Sequence, residues 1–181
     1  MTRAALCGAA VLLAVRVASA PAQAPDLSGT WKLDPSRSRI GAATLAGLVK
    51  AGAPDMLYIT HAANGTVIVE SRINESQSRI YDPGRQTTTP VVPSGSITMM
   101  SKWDGPRLVS EGRLESASGA SASVREILAL DADGRTLTID VTTTVVDEMS
   151  ASTLIYTKTA TVEPCDKWPT PCKIPPQRDV Q

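Results

Sequence analysis

His61 is the one histidine of the chain, at the end of DMLYITH and just ahead of Asn64-Gly65. General acid–base work needs a titratable group held against a partner inside a substrate cleft. No motif gives His61 such a partner, and no Cys, Asp or Glu stands at a spacing that would complete a zinc site with it. A surface position at a strand end is the expectation. Asp131-Ala132-Asp133-Gly134 suggests calcium, but an EF-hand loop with Gly134 at its sixth position would begin on Ala129, whose side chain carries no oxygen. The serines include no Gly-x-Ser-x-Gly elbow, and no glycine-rich phosphate loop occurs. No enzyme activity, no metal and no cofactor are expected.

Glu126, in SVREILAL, is the acid whose neighbours at two-residue spacing are all apolar: Val124, Leu128 and Leu130. If that face is interior, the carboxyl must be paired or protonated, with Arg113 or Lys158 as partner, and it could orient a ligand. If the opposite face is interior, Arg125, Ile127 and Ala129 point inward and Glu126 is wet. Cys165 and Cys172, in EPCDKWPTPCK, lack the Cys-x-x-Cys spacing of redox pairs and have no nearby histidine for zinc. In an oxidising compartment they form a disulfide, which the loop-entropy estimate values at roughly 2–3 kcal/mol. Asn64-Gly65-Thr66 and Asn74-Glu75-Ser76 match the glycosylation sequon but are read as turn chemistry.

The elements that must position these groups are strands. Alternation of period two marks one buried and one wetted face, as in an antiparallel sheet. It is plain in residues 27–34, 66–73, 96–103, 107–116 and 136–146, and further strands fall near 55–62, 77–82, 85–89, 122–131 and 151–162. Between them lie turn residues. Asn64-Gly65, Asp104-Gly105 and Asp133-Gly134 predict tight type I′ hairpins, Asp82-Pro83-Gly84-Arg85 a type II turn, and residues 116–121 a looser one. A meander of this length leaves two raw edges unless it closes into a barrel. The fold class expected is all-β: an up-and-down antiparallel meander of about 8–10 strands closed into a barrel. Residues 35–54 form a crossover that covers one barrel mouth or an ordinary long loop, with a short helix candidate at residues 42–50.

The ends of the chain read differently. Arg3, an apolar run over residues 4–15 and small residues 18–24 predict a secretory signal peptide, cleaved after Ala22. Removing it takes Arg3 and Arg16 from 18 basic residues and none from 18 acidic ones, for a net −2. No basic stripe is left for nucleic acid, and no other apolar run could span a bilayer. Residues 163–181 carry Pro164, Pro169, Pro171, Pro175 and Pro176, so the sheet ends before them. The domains expected are residues 1–22 as signal, 23–162 as barrel and 163–181 as a proline-rich tail with a disulfide loop.

Gly29-Thr30-Trp31 resembles the Gly-x-Trp of the first strand in lipocalins and the wider calycin group, and the chain resembles small secreted bacterial proteins of that type. The lipocalin Thr-Asp-Tyr turn motif is missing. The resemblance implies a barrel floor closed by Trp31, with a cation from the last strand, Lys158, across its ring, a contact worth roughly 0.5–1 kcal/mol. It also implies a barrel that binds a small hydrophobic or amphipathic molecule. The lining expected is Trp31, Met99, Trp103, Glu126, Tyr156 and Lys158, in an exported, periplasmic or extracellular monomer. Only six aromatics, none of them Phe, also fit a filled barrel that serves as a structural or protein-interaction module through its tail. An isomerase-like step in the barrel interior ranks third.

Overall fold

The computed structural model describes residues 24–45, 52–71, 77–91 and 95–160. The expected signal segment, Cys165, Cys172 and the proline-rich tail lie outside the described residues, as does most of the helix candidate. Ten strands follow one another: β1 (Gly29–Leu33), β2 (Met56–His61), β3 (Val67–Ser71), β4 (Gln77–Tyr81), β5 (Gln86–Pro90), β6 (Gly95–Asp104), β7 (Arg107–Ser116), β8 (Ser121–Leu130), β9 (Thr136–Val145) and β10 (Glu148–Thr159). Every consecutive pair is antiparallel and hydrogen-bonded except β4 with β5, and β10 returns to pair with β1 through Trp31↔Lys158. The result is a nearly closed barrel with a single seam.

The seam falls where the chain makes its type II turn. Arg85 N–H donates to Asp82 O at 2.9 Å, and Gly84 sits at φ 86°, the left-handed value that this position requires. Gly84 N–H then donates to Ser101 O of β6 at 2.8 Å, so the turn leans onto β6 instead of starting a β4–β5 ladder. One side-chain bond, Thr87 Oγ1 to Ile80 O at 2.8 Å, crosses the seam.

The other turns occur where the Asn-Gly, Asp-Gly and Ser-Gly signals lie, but not as type I′. In residues 62–65, 116–119 and 131–134 the glycine N–H donates to the carbonyl three residues back, at 2.9, 3.0 and 3.0 Å, with φ of 88°, 85° and 69°. That is a type I turn followed by a left-handed glycine, a longer loop than the two residues expected at Asn64-Gly65 and Asp133-Gly134 and the looser turn expected at residues 116–121. At Asp104-Gly105 the two-residue loop is Gly105-Pro106, and proline cannot take the second positive φ of type I′. The β9–β10 loop, Val146-Asp147, has no glycine at all: Val146 holds φ 54° and is exposed.

Both barrel ends are capped. At the end where β1 begins, Leu27 is fully buried and Trp31 Nε1–H donates to its carbonyl at 3.1 Å. At the opposite end, six residues or about 20 Å along β10 from Lys158, the chain after β1 folds back. Arg39 bridges to Thr153, Gly41 N–H donates to Ser152 Oγ at 2.9 Å, and Ser152 Oγ–H donates to Ala43 O at 2.6 Å. Ala43 and Leu45 are buried in the core while Ala42 is exposed, a period of two. The described part of the helix candidate, residues 42–45, is therefore extended chain laid across the mouth, as the crossover reading expected.

Candidate functional site in the barrel interior

Inward-facing side chains form three layers. The largest is an apolar cluster that runs from Leu27 and Trp31 through Leu57, Val69, Leu128 and Ile139 to Tyr156. A second, smaller apolar cluster is made of Ile97, Met99 and Val124, with Val91 and Leu114 against it. Between them runs a polar row set by strand register. Ser101 of β6 is opposite Ser110 of β7, and Ser110 is opposite Glu126 of β8. Ser101 lies between Met99 of the second cluster and Trp103 against the larger one, Ser110 between Gly112 and Leu108, and Glu126 between one residue of each cluster. Val124 and Leu128 flank Glu126 in this way. The two serine hydroxyls share a hydrogen bond of 2.8 Å and both are buried.

Arg79 and Tyr81 reach this row from β4. Three strands lie between β4 and β8 going one way round the barrel and five going the other, so the link spans the interior. Arg79 Nη1 lies 3.1 Å from Glu126 Oε1 and 3.2 Å from Oε2, and Tyr81 O–H donates to Oε2 at 2.8 Å. The side chains of Arg79 and Glu126 are 0% exposed. Burial, and then the Glu126 charge, push the Tyr81 phenol well above its ordinary value, so it stays a neutral donor.

Glu126 is therefore interior, as one of the two sequence readings had it, but its partner is neither Arg113 nor Lys158. Arg113 is exposed and donates to Ser121 Oγ at 2.7 Å. Lys158 Nζ lies 5.3 Å over the Trp31 ring, the floor contact that the resemblance implied. Its stem passes so close to Gly29 that a Cβ there would be 2.7 Å from Lys158 Cε, and Gly29 has φ 145°. Trp103 is half-buried and stacks on His61, ring centroids 5.8 Å apart. His61 is thus not a surface residue: its side chain is 12% exposed, and Nδ1 lies 3.9 Å from Asp26 Oδ1. Tyr156 is buried in the large cluster and its O–H donates to Pro54 O at 3.0 Å, with burial, then Asp55, raising its pKa.

The six residues expected to line one site are thus spread over the layers. Trp31, Lys158, Trp103 and Tyr156 belong to the floor and the large cluster, Glu126 to the polar row, and Met99 to the second cluster. Sequence reasoning missed Arg79, Tyr81, Ser101 and Ser110. In QSRIY the signal was present: Arg79 and Tyr81 alternate around Ile80, which is 37% exposed and faces out.

No protein-family model matches the chain, and no curated protein matches it. Among solved structures, one described as "REP1-NXSQ fatty acid transporter" is similar at 15% identity and a TM-score of 0.50, covering 75% of this chain and 98% of that one. At that identity the likeness shows the fold. It assigns no family.

Proposed function

We propose that this protein binds a small hydrophobic or amphipathic molecule inside the barrel, as an exported, monomeric carrier in the periplasm or outside the cell, without turning it over. The observation that carries the reading is the Arg79–Glu126–Tyr81 bridge, dry and placed between two apolar clusters. Stability does not explain such a bridge, because apolar residues of similar volume serve a core as well or better than a buried ion pair. A few convergent polar groups in an apolar interior are what small-molecule sites share. The second cluster is the proposed place for the ligand, because it is the smaller of the two, adjoins the serine pair and has the partly buried Val91 and Leu114 against it. That a protein described as a fatty acid transporter uses a similar barrel adds support.

Native mass spectrometry of the protein purified gently from its host tests this. A stoichiometric extra mass is expected, together with a Trp fluorescence change on titration with an apolar dye. A bare mass and no response to dye, alkyl alcohols or alkyl acids would leave a filled barrel that acts through its surface.

A further inference from the structure

We propose that the interior selects an uncharged head group that donates a hydrogen bond, such as an alkyl alcohol, and rejects an alkyl carboxylate. This rests on the binding reading above and names its ligand class. An arginine inside an apolar barrel would by itself attract an anion, but Glu126 already occupies Arg79 Nη1 with both of its oxygens. The pair is neutral as a unit and fully buried. A carboxylate brought beside it would add an uncompensated charge to a dry interior and would face Glu126 at short range. A cationic head would meet the same desolvation cost and face Arg79.

Hydrogen-bond capacity points the same way. An ionised carboxylate offers about four acceptor sites. On Glu126, three contacts are made: Nη1 to each oxygen and the Tyr81 hydroxyl to Oε2 at 2.8 Å. Capacity remains on Oε1 for one more donor. Next to it in register, Ser110 and Ser101 spend one hydroxyl hydrogen on their mutual bond of 2.8 Å and keep one to give. A hydroxyl head group can donate to Glu126 and accept from the serine pair at once. A carboxylate head group can only accept. The alkyl chain would lie along Ile97, Met99 and Val124, which flank the row.

The test compares 1-decanol, decanoate and decylammonium by isothermal titration calorimetry at pH 8, where the acid is ionised and the amine protonated. The wild-type protein should bind decanol at least tenfold more tightly than either ion. Glu126→Gln makes the bridge net positive and should raise decanoate affinity at least tenfold. Arg79→Gln makes it net negative and should do the same for decylammonium. Circular dichroism establishes that each variant is folded, and the wild-type comparison stands alone if one is not. Decanoate bound by the wild type as tightly as decanol overturns the selectivity but leaves the binding reading intact. So does a folded Glu126→Gln with no gain for decanoate. Failure of all three compounds, with no copurified mass, removes both.

Discussion

Substituting Glu126 alone should be among the most damaging changes available to this barrel, because it removes the carboxylate that faces a fully buried arginine. Both side chains of the pair are 0% exposed, and their closest contact is 3.1 Å. Glu126→Ala leaves a guanidinium in a dry interior, which costs about 3–5 kcal/mol where one partner of a buried pair is removed. A domain of this size has on the order of 5–15 kcal/mol in total. With a urea m-value of about 1.5 kcal/mol/M, the midpoint should fall by about 2–3 M. Replacing both partners, Arg79→Met with Glu126→Leu, should restore most of the loss, since apolar residues of similar volume replace buried pairs at little cost, less the hydrogen bond that the Tyr81 hydroxyl loses with Glu126. Urea unfolding followed by far-UV circular dichroism on the parent, the two single variants and the double variant completes the cycle. A cost under about 1 kcal/mol for Glu126→Ala, the value of a solvent-exposed pair, would mean that water reaches the bridge and that the charge argument for ligand choice is unsound.

Three other perturbations follow from local geometry. A Cβ on Gly112 would overlap Thr98 O and sit 2.8 Å from Met99 Sδ, so Gly112→Ala must push a neighbouring strand backbone aside; a loss of about 3 kcal/mol is expected in a denaturant titration. Val146→Asn should stabilise by about 1 kcal/mol, because valine is held at φ 54° in an exposed loop where asparagine is tolerated, and a thermal melt should show the rise. Tyr81 and Tyr156 both have raised folded pKa values, chiefly from burial. Above pH 10 the unfolded chain releases these two protons and the folded one keeps them, so stability should fall with rising pH by up to about 2.7 kcal/mol per unit. Tyrosinate absorbance from these two should appear only with unfolding; earlier ionisation would place water at the phenols.

The strands were legible because their alternation is regular and because glycine-bearing turns punctuate it. All ten expected segments are strands, and residues 107–116 match to the residue. The β9–β10 turn was harder to read, since Val146-Asp147 contains neither Gly nor Asn and reads as a continuing strand; the boundary of β10 consequently moved from residue 151 to Glu148. The first residues of the helix candidate, 42–45, are extended for a related reason. An apolar run has no intrinsic period, and here Ala43 and Leu45 are buried by a mouth they must cross in extended form. His61 lies near a turn, which suggested exposure, but its position opposite Val67 brings the ring against Trp103. Glu126 was visible as an acid with apolar neighbours at spacing two, whereas its partner was not: Arg79 is 47 residues away, and only the closing of the barrel sets β4 across from β8.

The bridge also bears on why the seam does not fray. β4 has a ladder on one side only, with β3, and an unpaired strand edge is free to slip. A slip of one residue would turn Ile80 inward and carry Arg79 and Tyr81 to the outer face. That slip would strand Glu126 without either donor, at the cost of leaving a buried carboxylate unpaired. The three side chains thus fix the register of the strand that the backbone holds least well, and the same three define the polar chemistry of the interior. Hydrogen exchange separates this from a purely binding role. In the double variant Arg79→Met with Glu126→Leu, global stability should be kept, while the β4 amides should exchange at least tenfold faster than those of β8. Equal protection of the two strands would show that the β3 ladder and the bond from Thr87 to Ile80 hold the seam by themselves.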